Sequence, residues 1–323
     1  MFKTELTEKL GIQYPIIQAG MGGVAMAELV AAVSNTGGLG VIGAAIMTPE
    51  ALQEEIRKTK DLTDKPFGVD LLLAQGWPGQ ERMIEIMFEE EVPVFASGLG
   101  NPAPYVEEMH RHGMTVMAVV GTVRHAVKCA EGGTDIIIAQ GTEGGGHTGR
   151  VATMALVPQV VDAVAQVPVA AAGGIADGRG LVAALALGAC GIWVGTRFVA
   201  TKEATGHSNY KQKIVEATEE STLVTRAFTG KDCRVIKNRY AEQWEDRQGE
   251  IKPFPFQMMV DGDKMNAAIL HGDSGRGIMP AGQISGMIGD IPAAGEVVRE
   301  IIEEAEEVLS RLAAEHLELQ AAR

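Results

Sequence analysis

Pro15-Ile-Ile-Gln-Ala-Gly-Met-Gly-Gly-Val-Ala25, followed by Leu39-Gly-Val-Ile-Gly-Ala-Ala45, is the part of the chain on which the fold turns. A short apolar strand, Pro15–Ala19, runs into Gly20-Met-Gly-Gly-Val-Ala25 and then into a helical pattern over Ala25–Asn35. G-x-G-x-x-A between strand and helix matches the dinucleotide fingerprint of a doubly wound sheet. That fingerprint also needs an acidic side chain about 20 residues further on, at the end of the second strand, to hold a ribose. Here the second strand, Leu39–Ile42, runs out into Gly43-Ala44-Ala45 with no carboxylate. The dinucleotide reading loses its anchor, and the number of repeated units decides instead.

The same unit of apolar strand, glycine-bearing loop and amphipathic helix recurs outward from this stretch. Further strands are expected at Phe67–Leu72, Val92–Ala96, Thr115–Val120, Asp135–Ala139, Val167–Ala171 and Gly191–Val194. Helical spacing fills Pro49–Thr59, Gly79–Glu90, Pro102–His112, Val123–Glu131, Leu156–Ala165 and Arg179–Leu187. Proline, serine or threonine stands at many helix starts, and glycine follows several ends, as at Asn35-Thr-Gly-Gly38. Eight strands alternating with helices predict an α/β fold, a (β/α)8 TIM barrel. After Val194 the alternation stops. Residues 200–265 hold helical pieces, charged stretches and the extended Lys252-Pro-Phe-Pro-Phe256, which read as an inserted, lid-like subdomain. Residues 1–199 and 266–323 are left for the barrel and its C-terminal helices, expected at Asp263–Leu270 and Ile291–Ala314, with fraying over 315–323.

Composition narrows the function. The chain has 323 residues, 46% of them hydrophobic, and a formal charge of −14, which argues against nucleic acid and anionic membrane surfaces as partners. Much of the acidity falls in the helical stretches Glu81–Glu91 and Glu296–Glu318, as expected of solvated faces. Cys129, Cys190 and Cys233 lie far apart with no metal-ligand spacing, so no metal is expected. There is no apolar run of membrane-spanning length and no signal-peptide pattern at the N-terminus, so the expected location is the cytoplasm.

Active sites of such barrels are built from the loops after the strands, with phosphate held after strands seven and eight. Ala170-Ala-Ala-Gly-Gly-Ile-Ala-Asp-Gly178 follows strand seven and opens a helix, and Gly191-Ile-Trp-Val-Gly-Thr-Arg197 contains strand eight and its loop. Backbone N–H groups at Gly173, Gly174, Gly195 and Thr196 form a candidate anion cradle. Asp177 is expected to cap the helix. Gly20–Gly23, Gly43–Ala45 and Gly144–Gly146 strip three more strand ends of bulk, which suits a broad planar ligand such as an isoalloxazine better than a compact sugar phosphate. Gly20, Met21, Gly22, Gly145 and Gly146 would wall such a ligand, and Asp70 and Gln140 could hydrogen-bond its heteroatom edge. Ala139-Gln-Gly-Thr-Glu-Gly-Gly-Gly-His-Thr-Gly149 then places one titratable group, His147, in a bare loop after strand six. His147 is the candidate catalytic residue. His110, His112, His125 and His316 read as helix-borne structural residues, while His207 and His271 lie in loops.

Five ordered stretches resemble the nitronate monooxygenase (2-nitropropane dioxygenase) family: Gln18-Ala-Gly-Met-Gly-Gly23, Lys65-Pro-Phe-Gly-Val-Asp70, Ala139–Gly149, Ala171–Gly178 and Val194-Gly-Thr-Arg-Phe198. The resemblance implies an FMN-binding barrel with its phosphate on the loops after strands seven and eight and His147 over the flavin's reactive face. It implies oxidation of alkyl nitronates with dioxygen to a carbonyl compound and nitrite, and a possible homodimer. The family usually carries asparagine where Asp70 stands. The chain is also similar to FMN-dependent enoyl-acyl-carrier-protein reductases, through Gly206-His-Ser-Asn-Tyr-Lys211, Val235-Ile-Lys-Asn238, His271-Gly-Asp273 and Ala281-Gly-Gln283. That likeness keeps open an NAD(P)H-dependent reductase acting on an enoyl thioester or a quinone. A flavin-free barrel lyase or isomerase for a phosphorylated metabolite is the alternative from another class.

Overall fold

The computed structural model describes residues 2–73, 79–254, 256–260 and 264–316, the side chains of Met265 and His316 apart. Eight parallel strands form one sheet: Ile16–Gln18, Gly40–Gly43, Phe67–Leu72, Val94–Leu99, Thr115–Val120, Ile136–Gln140, Val169–Ala172 and Gly191–Val194. They neighbour one another in chain order, and the eighth pairs with the first in the register Ile16–Ile192 and Gln18–Val194. A bridge between Ile17 and Leu39 joins the first strand to the second and closes the circle. The barrel expected from the repeated units is the barrel observed.

Both faces of these strands are buried, which explains why they read as continuous apolar runs and not as alternating ones. Ile17, Val41, Val94, Met117, Ile138, Ala170 and Trp193 pack together inside the barrel. Their sequence neighbours Ile16, Ile137, Ala171 and Ile192 join the layer under the helices on one side, and Ile42, Phe95 and Val116 that on the other. Helix starts follow local chemistry. Thr48 caps Pro49–Leu62 by accepting from Ala51 N, and Asp177 caps Gly178–Ala186 by accepting from Gly180 N, the role expected for it.

A six-residue helix, Glu5–Leu10, was not legible beforehand, because one and a half turns carry no measurable period. Thr4 and Thr7 form a capping box, and Leu6 and Leu10 plug the bottom of the barrel. At the other end of the chain, helix Ala294–His316 lies on helices Ala27–Thr36 and Gly178–Ala186. Asp263, the expected start of the preceding helix, is outside the described residues, as are the frayed-end residues 317–323. No helix among the described residues is long and apolar enough to cross a membrane.

The segment after strand eight departs most from expectation. Besides helix Ser208–Val215 it contains a hairpin, Thr222–Thr225 with Cys233–Ile236, where helical pieces and charged stretches were anticipated. The hairpin's second strand pairs with Gly146–His147 as a three-stranded antiparallel sheet. Ala227, Cys233, Val235, Tyr240, Ala241, Trp244 and Ile278 give this layer its own apolar core. The inserted segment therefore docks directly on the glycine loop after strand six.

Candidate active site

At the C-terminal end of the barrel the loops enclose a cleft of about 1450 Å3, open at its mouth. The candidate catalytic and cofactor-binding residues all line it. Gly20, Met21 and Gly22 come from the loop after strand one, Asp70 from strand three, and Gln140, Gly145, Gly146 and His147 from strand six and its loop. Gly173 and Gly174 follow strand seven, and Gly195 and Thr196 follow strand eight.

The cradle after strands seven and eight is built from backbone. Gly173 and Gly174 have φ of 85° and 74°, in the left-handed region, and a Cβ on Gly173 would sit 2.9 Å from Gly141 O. The N–H groups of Gly173, Gly174, Gly195 and Thr196 meet no acceptor among the described residues, so four donors stand ready for an anion. Thr153 ties this end to the loop after strand six: its hydroxyl donates to Gly173 O at 2.8 Å, and its N–H donates to the Glu143 carboxylate. Gly282 N donates to Thr196 Oγ1 at 2.9 Å, which brings the Ala281-Gly-Gln283 stretch onto the same wall.

Asp70 lies beneath the loop after strand one. Its Oδ1 accepts from Gly98 N at 2.7 Å, its one hydrogen bond among the described residues. A Cβ on Gly20 would fall 2.3 Å from the Asp70 Cβ, so only glycine lets that loop cross over the carboxyl. Burial holds the Asp70 carboxyl well above the usual carboxylate range, partly offset by the Gly98 N–H. Burial thus disfavours the charged form of Asp70, one of whose oxygens is committed to Gly98 N.

His147 is fixed from several directions. Its Nε2 is 2.8 Å from Thr229 Oγ1, and its carbonyl accepts from Gln140 Nε2 at 2.6 Å. Phe228 lies nearly parallel to the ring, at 6.4 Å and 17°, and Phe254 presents an edge at 6.4 Å and 84°. Lys231 Nζ sits 4.6 Å from the centre of the Phe254 ring. Burial, and secondarily the Lys231 charge, pushes the imidazole down to about 4, so it is neutral at physiological pH. Thr229, Phe228, Phe254 and Lys231 all come from the inserted segment, and no sequence signal marked them as site residues. Glu143 and Gly98 were missed too, although each sits in a glycine-rich strand-end loop where a search for partners of Asp70 and the cradle would have found it.

Several other titratable groups lie away from the cleft. His207 caps its helix by accepting from Asn209 N, and neither it nor His271 lines the cleft. His110 pairs with Asp135, and His112 stacks on Phe88 at 4.1 Å. Cys233 reaches the cleft wall, but burial pushes its thiol up to about 12. No cluster of metal-ligating side chains occurs among the described residues.

The protein is thus a parallel barrel whose C-terminal end holds a glycine-walled cleft with unpaired backbone donors on one side and an imidazole held by Thr229 on the other. The sequence profile described as nitronate monooxygenase matches residues 3–304, and the chain belongs to that family. A probable nitronate monooxygenase of Staphylococcus haemolyticus is 37% identical, over 79% of this chain and 84% of that one. A Mycobacterium tuberculosis protein named as a 5-hydroxy-7a-methyl-1-oxo-octahydro-1H-indene-4-carboxyl-CoA dehydrogenase is 35% identical, covering 93% of this chain and 95% of its own. FabK from Thermotoga maritima superposes with a TM-score of 0.92 at 38% identity, covering 97% and 99% of the two chains. The protein is thus an oxidoreductase of a flavin-dependent type, acting on a small molecule.

Proposed function

We propose that the protein is an FMN-dependent nitronate monooxygenase in which His147 is the catalytic base. The observation that carries this reading is a buried imidazole, locked by Thr229 and two phenyl rings, in the wall of a glycine-lined cleft. Bound FMN supplies the electron-transfer chemistry and the reaction with dioxygen. Gly173, Gly174, Gly195 and Thr196 would hold its phosphate. Gly20, Met21, Gly22, Gly145 and Gly146 would leave room for its ring, with Asp70 and Gln140 at the polar edge. A neutral His147 takes the carbon-bound proton of a nitroalkane, and Lys231, beside it, stabilises the nitronate anion that forms. Thr229 holds the ring and Gln140 holds the His147 backbone while the proton moves.

His147→Ala should retain FMN and lose about 10²–10⁴ of its turnover with nitroalkanes, the usual weight of a positioned base. Wild-type turnover in that variant would remove His147 from the reaction. A second reading, an NAD(P)H-dependent reductase of an enoyl thioester or quinone, is favoured by the likeness to FabK and by space beyond His147 that a small nitronate does not fill. Anaerobic mixing separates the two: bleaching of the flavin by nitronate alone supports the monooxygenase, and rapid bleaching by NADH or NADPH supports the reductase.

A further inference from the structure

Past His147 the barrel mouth continues into a second cleft of about 1400 Å3. Its floor is the ends of strands four and five, Gly98 to Asn101 and Val119 to Thr122, and its far wall is the turn of the inserted hairpin. The two clefts share Gly98, Val119, Gln140 and His147, so they meet at the imidazole. The floor is low because backbone passes backbone: a Cβ on Gly121 would be 3.2 Å from Gly149 Cα.

Its charge sets this cleft apart. His125 and Lys128 line it from helix Val123–Glu131, and Arg226 and Lys231 line it from the hairpin turn. All four are exposed, and among the described residues none has a carboxylate at ion-pair distance. Asp232, the acidic side chain in the lining, is already held by Arg150 at 3.2 Å. Arg226 gives its Nε to Gly230 O at 3.1 Å, which leaves the two terminal nitrogens free to donate. Acidic residues outnumber Lys and Arg by 42 to 28 in this chain, so most surface cations can find a partner. Lys128, Arg226 and Lys231, none with a carboxylate partner among the described residues, and the His125 imidazole around one concavity suit a polyanion.

We infer that this cleft receives the diphosphate-bearing part of a nucleotide co-substrate, a nicotinamide dinucleotide or an acyl-coenzyme A, whose reactive end reaches His147 across the shared wall. The clamp holds the phosphates between two elements far apart in sequence, with Lys128 on helix Val123–Glu131 and Arg226 in the hairpin turn. A nitronate or dioxygen needs no such clamp, so the inference goes beyond the monooxygenase reading. Because it is read from binding and not from turnover, the two can fail independently.

The test is calorimetric titration of the FMN-loaded enzyme with NAD+, NADP+ and coenzyme A, none of which reduces the flavin. At least one should bind, inorganic diphosphate should displace it, and its affinity should fall with rising salt. The one that binds identifies the source of the diphosphate. Lys128→Gln and Arg226→Gln should each weaken it by about tenfold, the weight of one charge-assisted contact, with the thermal midpoint unchanged. Absence of binding by all three at millimolar concentration overturns the inference, as does binding that neither substitution nor diphosphate affects. The competition experiment uses the wild-type chain, so it decides even where a variant folds poorly.

Discussion

Asp70 and His147 carry opposite consequences of the same desolvation. Burial favours the neutral form of each, raising the acid and lowering the base. For Asp70 the folded-state value is raised above the unfolded value of about 4, so stability is fully present below pH 4 and falls as pH rises toward the folded value. Asp70→Asn removes the ionisation while keeping an acceptor for Gly98 N. Flavin-free Asp70→Asn protein should therefore melt higher than wild type at neutral pH, with a flatter dependence between pH 4 and 8. Superimposable melting curves for the two proteins would show that the carboxyl is not held neutral. For His147 the lowered value moves the kinetics: the acid limb of kcat/KM with nitroalkane should lie near pH 4 and not near the unperturbed imidazole value of about 6.5. A limb at the unperturbed position would mean the ring is hydrated in the working enzyme. Both side chains were visible in the sequence as candidates, and their protonation was not. Desolvation depends on what covers a group, and in His147 the cover comes from Thr229, 82 residues away.

Among the elements, the strand-to-helix units were legible nearly to the residue, because glycine, proline and the capping side chains mark their ends locally. Thr115–Val120, Val123–Glu131 and Gly191–Val194 fall where the sequence put them. The hairpin Thr222–Thr225 with Cys233–Ile236 was not legible. Four-residue strands joined by a seven-residue turn carry little periodicity, and their pairing partner, Gly146–His147, is a glycine loop that has none. The glycine loop after strand seven gives a direct test of the cradle. Gly173→Ala forces a side chain into the left-handed region and against Gly141 O, at a cost of about 1–3 kcal/mol. The variant should lose thermal stability and purify with less FMN per chain, with normal flavin content being the result that removes Gly173 from the phosphate site.

At the scale of the whole molecule, one side chain reinforces the closure of the barrel. Strands one and two meet only at the Ile17–Leu39 bridge, with Gln18 N donating to Leu39 O and Leu39 N to Ile16 O. Beyond that point the fully buried Gln18 amide replaces the missing ladder: its Oε1 accepts from Val41 N and its Nε2 donates to Val41 O, both at 3.2 Å. Gln18→Leu should cost about 1–3 kcal/mol for each Val41 group left unpaired, read as a lower urea midpoint. A midpoint equal to that of wild type would show that the seam holds without it. The sequence by itself determined the eightfold repetition, the strand ends stripped to glycine and the single histidine among them, because periodicity and backbone permissiveness are written within a few residues. Only the tertiary structure decided that the Gln18 amide reinforces the barrel seam, that the inserted hairpin clamps His147 and leaves it neutral, and that a cationic cleft opens beside it. Those properties arise from packing between segments distant in the chain, and hydrogen-bond completion and desolvation exist only once such segments meet.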